Sequence, residues 1–166
     1  EGEEGTTRTL TYAELLREVN RAAAGLRALG IGRGDRVALF MPMCPELVTA
    51  FFAIIKVGGI VLPLFSGYGA DAVTTRLQDA GVKMLMTADG FWRRGQAVRM
   101  KDTADAAIAA APSVERVIVT RRIGADVVMG PRDTWWSDLV AGQRDDCATE
   151  RTGADDPLMI IYTSGT

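Results

Sequence analysis

The sequence predicts an α/β fold with a mainly parallel sheet and helices on both faces, and three observations predict it. Short apolar runs bounded by glycine, proline or aspartate alternate with longer stretches whose apolar residues recur at three- and four-residue steps. Strands that alternate with helices pair in parallel through right-handed crossovers, because each crossover returns the chain to the same end of the sheet. The 166 residues, 48% of them hydrophobic, suffice for one domain with a sizeable core.

Each element has a local cause. Thr11 opens the first helix: its hydroxyl can accept from the Glu14 amide while Glu14 reaches back, and Leu10 can pack on Leu15. Leu15, Leu16, Val19, Ala22, Leu26 and Leu29 then form one apolar stripe, and Gly30 supplies a left-handed stop. After the turn at Gly32 to Asp35, the run Arg36 to Met41 reads as a buried strand that Pro42 ends. Pro45 suits the first turn of the next helix. Its residues Leu47, Val48, Phe51, Phe52, Ile54 and Ile55 are apolar on nearly every side, which predicts a helix covered from both directions.

Gly58 and Gly59 stop that helix, and Ile60 to Leu64 follows as a strand. The alternation continues with a helix at Asp71 to Ala80 closed by Gly81, a strand at Val82 to Thr87, a helix at Asp102 to Ala111 and a strand at Arg116 to Thr120. A short helix around Trp135 to Ala141 and a strand at Leu158 to Tyr162 complete it. Thr120 to Arg132 reads as an insertion or hairpin, and Arg144 to Asp156 as a polar, acidic connector.

Composition excludes several functions. With 19 basic and 21 acidic residues the net charge is −2, so no bulk field draws the chain to nucleic acid or an anionic membrane. The absence of histidine excludes a Ser-His-Asp triad, a Cys-His dyad and any imidazole-dependent zinc site within these residues. Two cysteines, Cys44 and Cys147, are too few for a disulfide framework; a buried filler and a loop thiol are expected, in a cytoplasmic, reducing setting. The apolar stretch Leu47 to Phe65 approaches a membrane span in length, but Lys56 near its centre costs about 2.5–3.5 kcal/mol on insertion, and Gly58, Gly59 and Pro63 break it.

The last residues, Tyr162-Thr163-Ser164-Gly165-Thr166, follow the strand expected at Leu158 to Tyr162. A glycine- and hydroxyl-rich turn at the end of a buried strand is where α/β proteins bind phosphates, since backbone N–H groups and hydroxyls donate and glycine permits close approach. The alternative is an ordinary polar turn. The segment resembles the first five positions of Y-T-S-G-[ST]-T-G-x-P-K-G, the phosphate loop of the adenylate-forming family of acyl-CoA synthetases, luciferases and peptide-synthetase adenylation domains.

Thr11 to Leu16, Gly34 to Ala38 with Met41 to Met43 and Pro45-Glu46, Ala88-Asp89-Gly90, Trp135 to Leu139 and Asp156 to Leu158 resemble the same family in order, and more narrowly its acetyl-CoA synthetase branch. The resemblance implies that residues 1–166 are part of the large N-terminal, AMP-binding domain, ending inside the phosphate loop. It also implies the reaction: a carboxylic acid, expected to be short and acetate-like, attacks the α-phosphorus of ATP with Mg²⁺ assisting and expels pyrophosphate, and the thiol of coenzyme A then displaces AMP from the acyl-adenylate. Such chemistry asks for charge neutralisation and positioning more than for a protein nucleophile, so no catalytic residue is expected within the chain.

By the same resemblance, Thr163, Ser164, Gly165 and Thr166 begin the loop that holds the ATP phosphates. The segment Arg93-Arg94-Gly95-Gln96 corresponds to one that binds the nucleotide phosphates of coenzyme A; Arg93 takes the first arginine position, while Gln96 replaces a usual basic residue. A solvated basic surface loop is the other account, preferred for Arg94, Arg99 and Lys101. Phe65-Ser66-Gly67-Tyr68-Gly69 resembles the F-G-G-F-S turn near the pantetheine path, and equally a tight turn in which Gly67 serves only geometry. Trp135 and Trp136 read as core residues.

The metal ligands and adenine contacts are expected past residue 166, so the chain alone is expected to catalyse nothing. Two other functions compete. An adenylation domain would pass its acyl group to a carrier protein, and a nucleotide-binding α/β domain would have no activity.

Overall fold

A computed structural model describes residues 7–163. The first helix, α1 (Tyr12–Ala28), opens with the expected reciprocal cap: the Glu14 amide donates to Thr11 Oγ1 at 3.3 Å and the Thr11 amide donates to Glu14 Oε2 at 2.7 Å. It ends at Leu29 with Gly30 at φ 80°. Strand β1 (Arg36–Phe40) leads to α2 (Pro45–Lys56) and β2 (Ile60–Leu64), then α3 (Ala70–Asp79) and β3 (Met84–Ala88). Next come a hairpin, β4 (Phe91–Arg93) with β5 (Gln96–Val98), then α4 (Met100–Ala109), β6 (Arg116–Thr120), β7 (Asp133–Trp135) and α5 (Trp136–Val140).

The main sheet has the order β2-β1-β3-β6-β7 with every pairing parallel. Side-chain alternation divides the core in two. Val37, Leu39, Met84, Met86 and Ile118 face α1, α2 and α5, whereas Ala38, Phe40, Leu62, Leu85 and Val117 face α3 and α4. Burying one such leucine or phenylalanine contributes about 1.5–3 kcal/mol, so both layers stabilise the sheet. Helices on both faces and a parallel sheet are what the periodicity predicts.

Several expectations need correction. Helix α2 buries Ala50, Ala53 and Ile54, but Val48 and Phe52 remain 42% and 46% exposed, so among the described residues it is covered on one side. The hairpin β4–β5 and strand β7 carry too few residues to show a period. Residues 121–130 form no hairpin; they run irregularly to β7.

Residues 158–162 are not a strand either. They lie beside β2 through one bridge, Val61 with Met159, in which the Val61 amide donates to Leu158 O and the Ile160 amide to Val61 O. The next donor along β2 on that side would be residue 63, and Pro63 has no N–H. The ladder therefore stops where it starts.

Lys101 overturns the reading of a surface lysine. Its side chain is 1% exposed, and its ammonium pairs with Asp105 at 2.6 Å and with the buried Asp133 at 2.8 Å. Burial opposes the charge, but hydrogen bonds to Asp105 and Asp133 outweigh it and raise the ammonium pKa. Arg99 is exposed but engaged, donating to Asp102 at 2.6 Å and to Asp126 O at 2.7 Å. Both are structural cations.

Candidate functional site

The sheet runs from β1 outward to β2 on one side and to β3 on the other, so its strand order reverses between β1 and β3. In parallel sheets ligands bind outside the carboxyl ends of the strands at such a reversal. Three connections leave this edge nearby: residues 41–44 after β1, residues 65–69 after β2, and the segment from Asp89 through the β4–β5 hairpin after β3.

Asp89 organises the third. Its buried carboxylate accepts four backbone N–H groups: Gly90 and Arg122 at 2.8 Å and Ile123 at 3.2 Å on Oδ1, and Ala125 at 3.1 Å on Oδ2. The loops after β3 and β6 are thereby bound together, which sets the direction in which the hairpin leaves the sheet. The sequence singles out Ala88-Asp89-Gly90 as a motif without a role; the role is an anion that replaces missing main-chain acceptors.

The hairpin places the arginines. Phe91 pairs with Val98, Trp92 with Ala97 and Arg93 with Gln96, and the two residues between have positive φ, 52° at Arg94 and 77° at Gly95. That is the conformation of a type I′ turn, whose twist matches the flanking strands. Arg94 and Gly95 thus form an exposed tip, and Gln96 is exposed opposite Arg93.

Arg93 instead reaches the turn after β2: its Nη1 lies 3.1 Å from where a β-carbon on Gly67 would be, next to the ring of Phe65. Two segments noted separately in the sequence, 26 residues apart, meet here. Gly67 leaves room for this approach, since a β-carbon would come within 2.6 Å of Phe65 Cε1 and push the ring and the guanidinium aside.

The turn continues into an aromatic cluster that sequence reasoning missed. Phe65 and Tyr68 meet edge to face with centroids 5.6 Å apart. The Arg76 guanidinium lies over the Tyr68 ring at 4.3 Å and over the Tyr162 ring at 5.3 Å. The Tyr162 hydroxyl donates to the Asp79 carboxylate, and burial together with that carboxylate pushes its pKa up to about 12. An arginine two turns into a helix carries no sequence signal for such a role.

Thr163 follows Tyr162 and is exposed, on a segment that parallels β2 and heads for the edge carrying Gly67. Ser164, Gly165 and Thr166 lie outside the described residues. A cavity of about 250 Å³ lined by Arg33, Gly59, Asp156 and Leu158 opens at the amino ends of β1 and β2, the wrong end of the sheet for this site. Cys44 is buried, with its thiol pushed up to about 12 by desolvation, so it offers no activated nucleophile; Cys147 is partly buried. Among the described residues no group of three or more cysteine or carboxylate side chains is placed to hold a metal ion. None of their helices is long and apolar enough to cross a membrane.

Comparison with known proteins gives one consistent answer. The family described as AMP-binding enzyme matches residues 3–166. An acetyl-coenzyme A synthetase of Methanothrix thermoacetophila is 45% identical over 98% of this chain and 25% of its own length. One from Streptomyces coelicolor is 46% identical over 100% of the chain and 26% of its own. Among solved structures, an acetoacetyl-CoA synthetase from Streptomyces lividans superposes with a TM-score of 0.91 at 32% identity, covering 99% of this chain and 25% of that one. The chain therefore spans about a quarter of the length of the relatives it matches.

Proposed function

This chain belongs to the AMP-binding enzyme family, and from that membership we propose that it contributes the opening part of an ATP-dependent acid–thiol ligase. The ligase activates a short, acetate-like carboxylic acid as its adenylate and passes the acyl group to coenzyme A. The observation that carries this reading is identity of 45–46% to proteins named acetyl-coenzyme A synthetase along nearly the whole chain.

The geometry supports a thiol acceptor with a nucleotide head. Arg93 presents a guanidinium beside Gly67, a combination suited to hold a phosphate while a slender arm passes a turn that has no side chain there. Thr163 and the residues after it hold the ATP phosphates from the neighbouring segment. The reaction then needs an in-line approach of carboxylate to phosphorus and charge neutralisation, both positional effects. Among the described residues no carboxylate cluster is placed to hold magnesium. The chain by itself is expected to catalyse nothing.

A carrier-protein thiol is the second acceptor to weigh, and Arg93 at Gly67 favours coenzyme A. The test uses the full protein with acetate and other short acids. Labelled pyrophosphate is expected to exchange into ATP, and Arg93→Ala is expected to raise the KM for coenzyme A about tenfold while exchange stays near the parent rate. No exchange with any acid overturns the ligase, and an unchanged KM for coenzyme A overturns the role of Arg93.

A further inference from the structure

Between the Gly67 turn and the segment leading to Thr163 lies one cation, Arg76, stacked on an aromatic ring from each. Tyr68 belongs to the turn whose Gly67 meets Arg93, and Tyr162 immediately precedes Thr163. Arg76 is fixed from below by its own helix, donating to Ala72 O at 2.8 Å, while its Nε is buried without a hydrogen-bond partner. A guanidinium so placed is held largely by the two ring faces.

Tyr162 is fixed on its far side by Asp79, one turn along the same helix. The main chain contributes little to this junction, because the bridge to β2 ends at Pro63. Side chains on one face of α3 therefore set where residues 162–163 stand relative to residues 65–68.

We propose that Arg76 is a positioning residue that couples the turn at Gly67 to the loop beginning at Thr163, so that occupation or disturbance of one is felt at the other. It acts through the rings of Tyr68 and Tyr162. The coupling runs through two discrete contacts, ring on cation and cation on ring, and removing either one separates the sites. This rests on the reading of Thr163 and its successors as the ATP loop and of the Gly67 turn as the coenzyme A side. It adds a physical link between the two half-reactions that neither loop supplies alone.

A double-mutant cycle in the full protein tests it. Tyr68→Leu alters a residue of the Gly67 turn; it is expected to raise the KM for ATP in pyrophosphate exchange about threefold or more in the parent, and by almost nothing once Arg76→Ala is present. Effects that simply multiply, or an unchanged KM for ATP in Tyr68→Leu, overturn the coupling.

Amide hydrogen exchange of residues 158–163 gives a readout independent of activity. Exchange is expected to quicken in Tyr68→Leu and in Arg76→Ala, and no further in the double variant. If the parent exchanges no pyrophosphate with any acid, the ligase reading fails and hydrogen exchange alone decides: an unaltered rate in Tyr68→Leu overturns the coupling, and a faster one upholds it as a property of the fold.

Discussion

Arg93 Nη1 lies 3.1 Å from the position that a β-carbon on Gly67 would take, so a side chain there displaces the guanidinium from where it stands. Gly67→Ala keeps an allowed backbone and crowds only side chains, the Phe65 ring at 2.6 Å and the Arg93 guanidinium. The expected outcome is a protein with nearly parental thermal stability whose KM for coenzyme A rises about five- to tenfold, equivalent to about 1–1.4 kcal/mol. Steady-state thioester kinetics on the full protein check it.

The hairpin tip offers a change of opposite sign. Arg94 has φ 52°, a conformation that costs a non-glycine residue about 1 kcal/mol, whereas Gly95 at 77° is relaxed. Arg94→Gly is expected to stabilise by several tenths of a kcal/mol and to leave coenzyme A kinetics unchanged, while Gly95→Ala destabilises by about 1 kcal/mol. Urea midpoints separate the two.

Asp89 is the most exacting site in the described fold. Asp89→Asn keeps the shape but puts a donor amide against backbone donors, and the expected loss is about 3 kcal/mol or more by denaturant titration. Asp89→Ala is expected to be as severe, because the N–H groups of Gly90, Arg122, Ile123 and Ala125 lose the acceptor they share.

Lys101 makes a pH prediction. Its folded pKa is raised above the ordinary 10.5, so its contribution is complete below that value and is lost as pH rises through the folded one. Lys101→Met strands the buried Asp133 and is expected to cost about 3 kcal/mol at neutral pH. That difference should hold constant from about pH 7 to 9 and shrink above about pH 10.5. The double change Lys101→Met with Asp133→Asn is expected to be milder, since Asn can still accept from the Gly130 amide that now donates to Asp133 at 2.7 Å.

The two thiols should separate cleanly. Burial raises Cys44 from 9.0 to about 12, so an aromatic disulfide reagent at about pH 8 is expected to modify Cys147 promptly and Cys44 only on unfolding. Prompt reaction of both contradicts the packing described at the end of β1.

The helices and the long strands were legible because each carries a period and a punctuation mark. Thr11 with Glu14, Pro45 and Gly81 act within a few residues of themselves, and the observed elements start or stop beside them. What could not be read depends on partners distant in the chain. Leu158 to Tyr162 has the composition of a strand, but its pairing was decided by Pro63, some 95 residues earlier. Lys101 looks like a surface charge until Asp133 arrives beside it. For the site, the residue types at Arg93 and Gly67 were recognisable, but their juxtaposition required a hairpin of two three-residue strands.

Pro63 has a mechanical consequence. A fully zipped edge strand would hold its end by a row of amide bonds, whereas here two such bonds, the packing of Met159 and Ile160 on the core, and the Tyr162 hydroxyl on Asp79 hold it. Parting those two bonds would leave every pairing of the five-stranded sheet intact. A proline that looks like a flaw in β2 thus acts as a stopper: it ends the pairing short of Thr163 and hands the seating of Tyr162 to the side chains of Arg76 and Asp79.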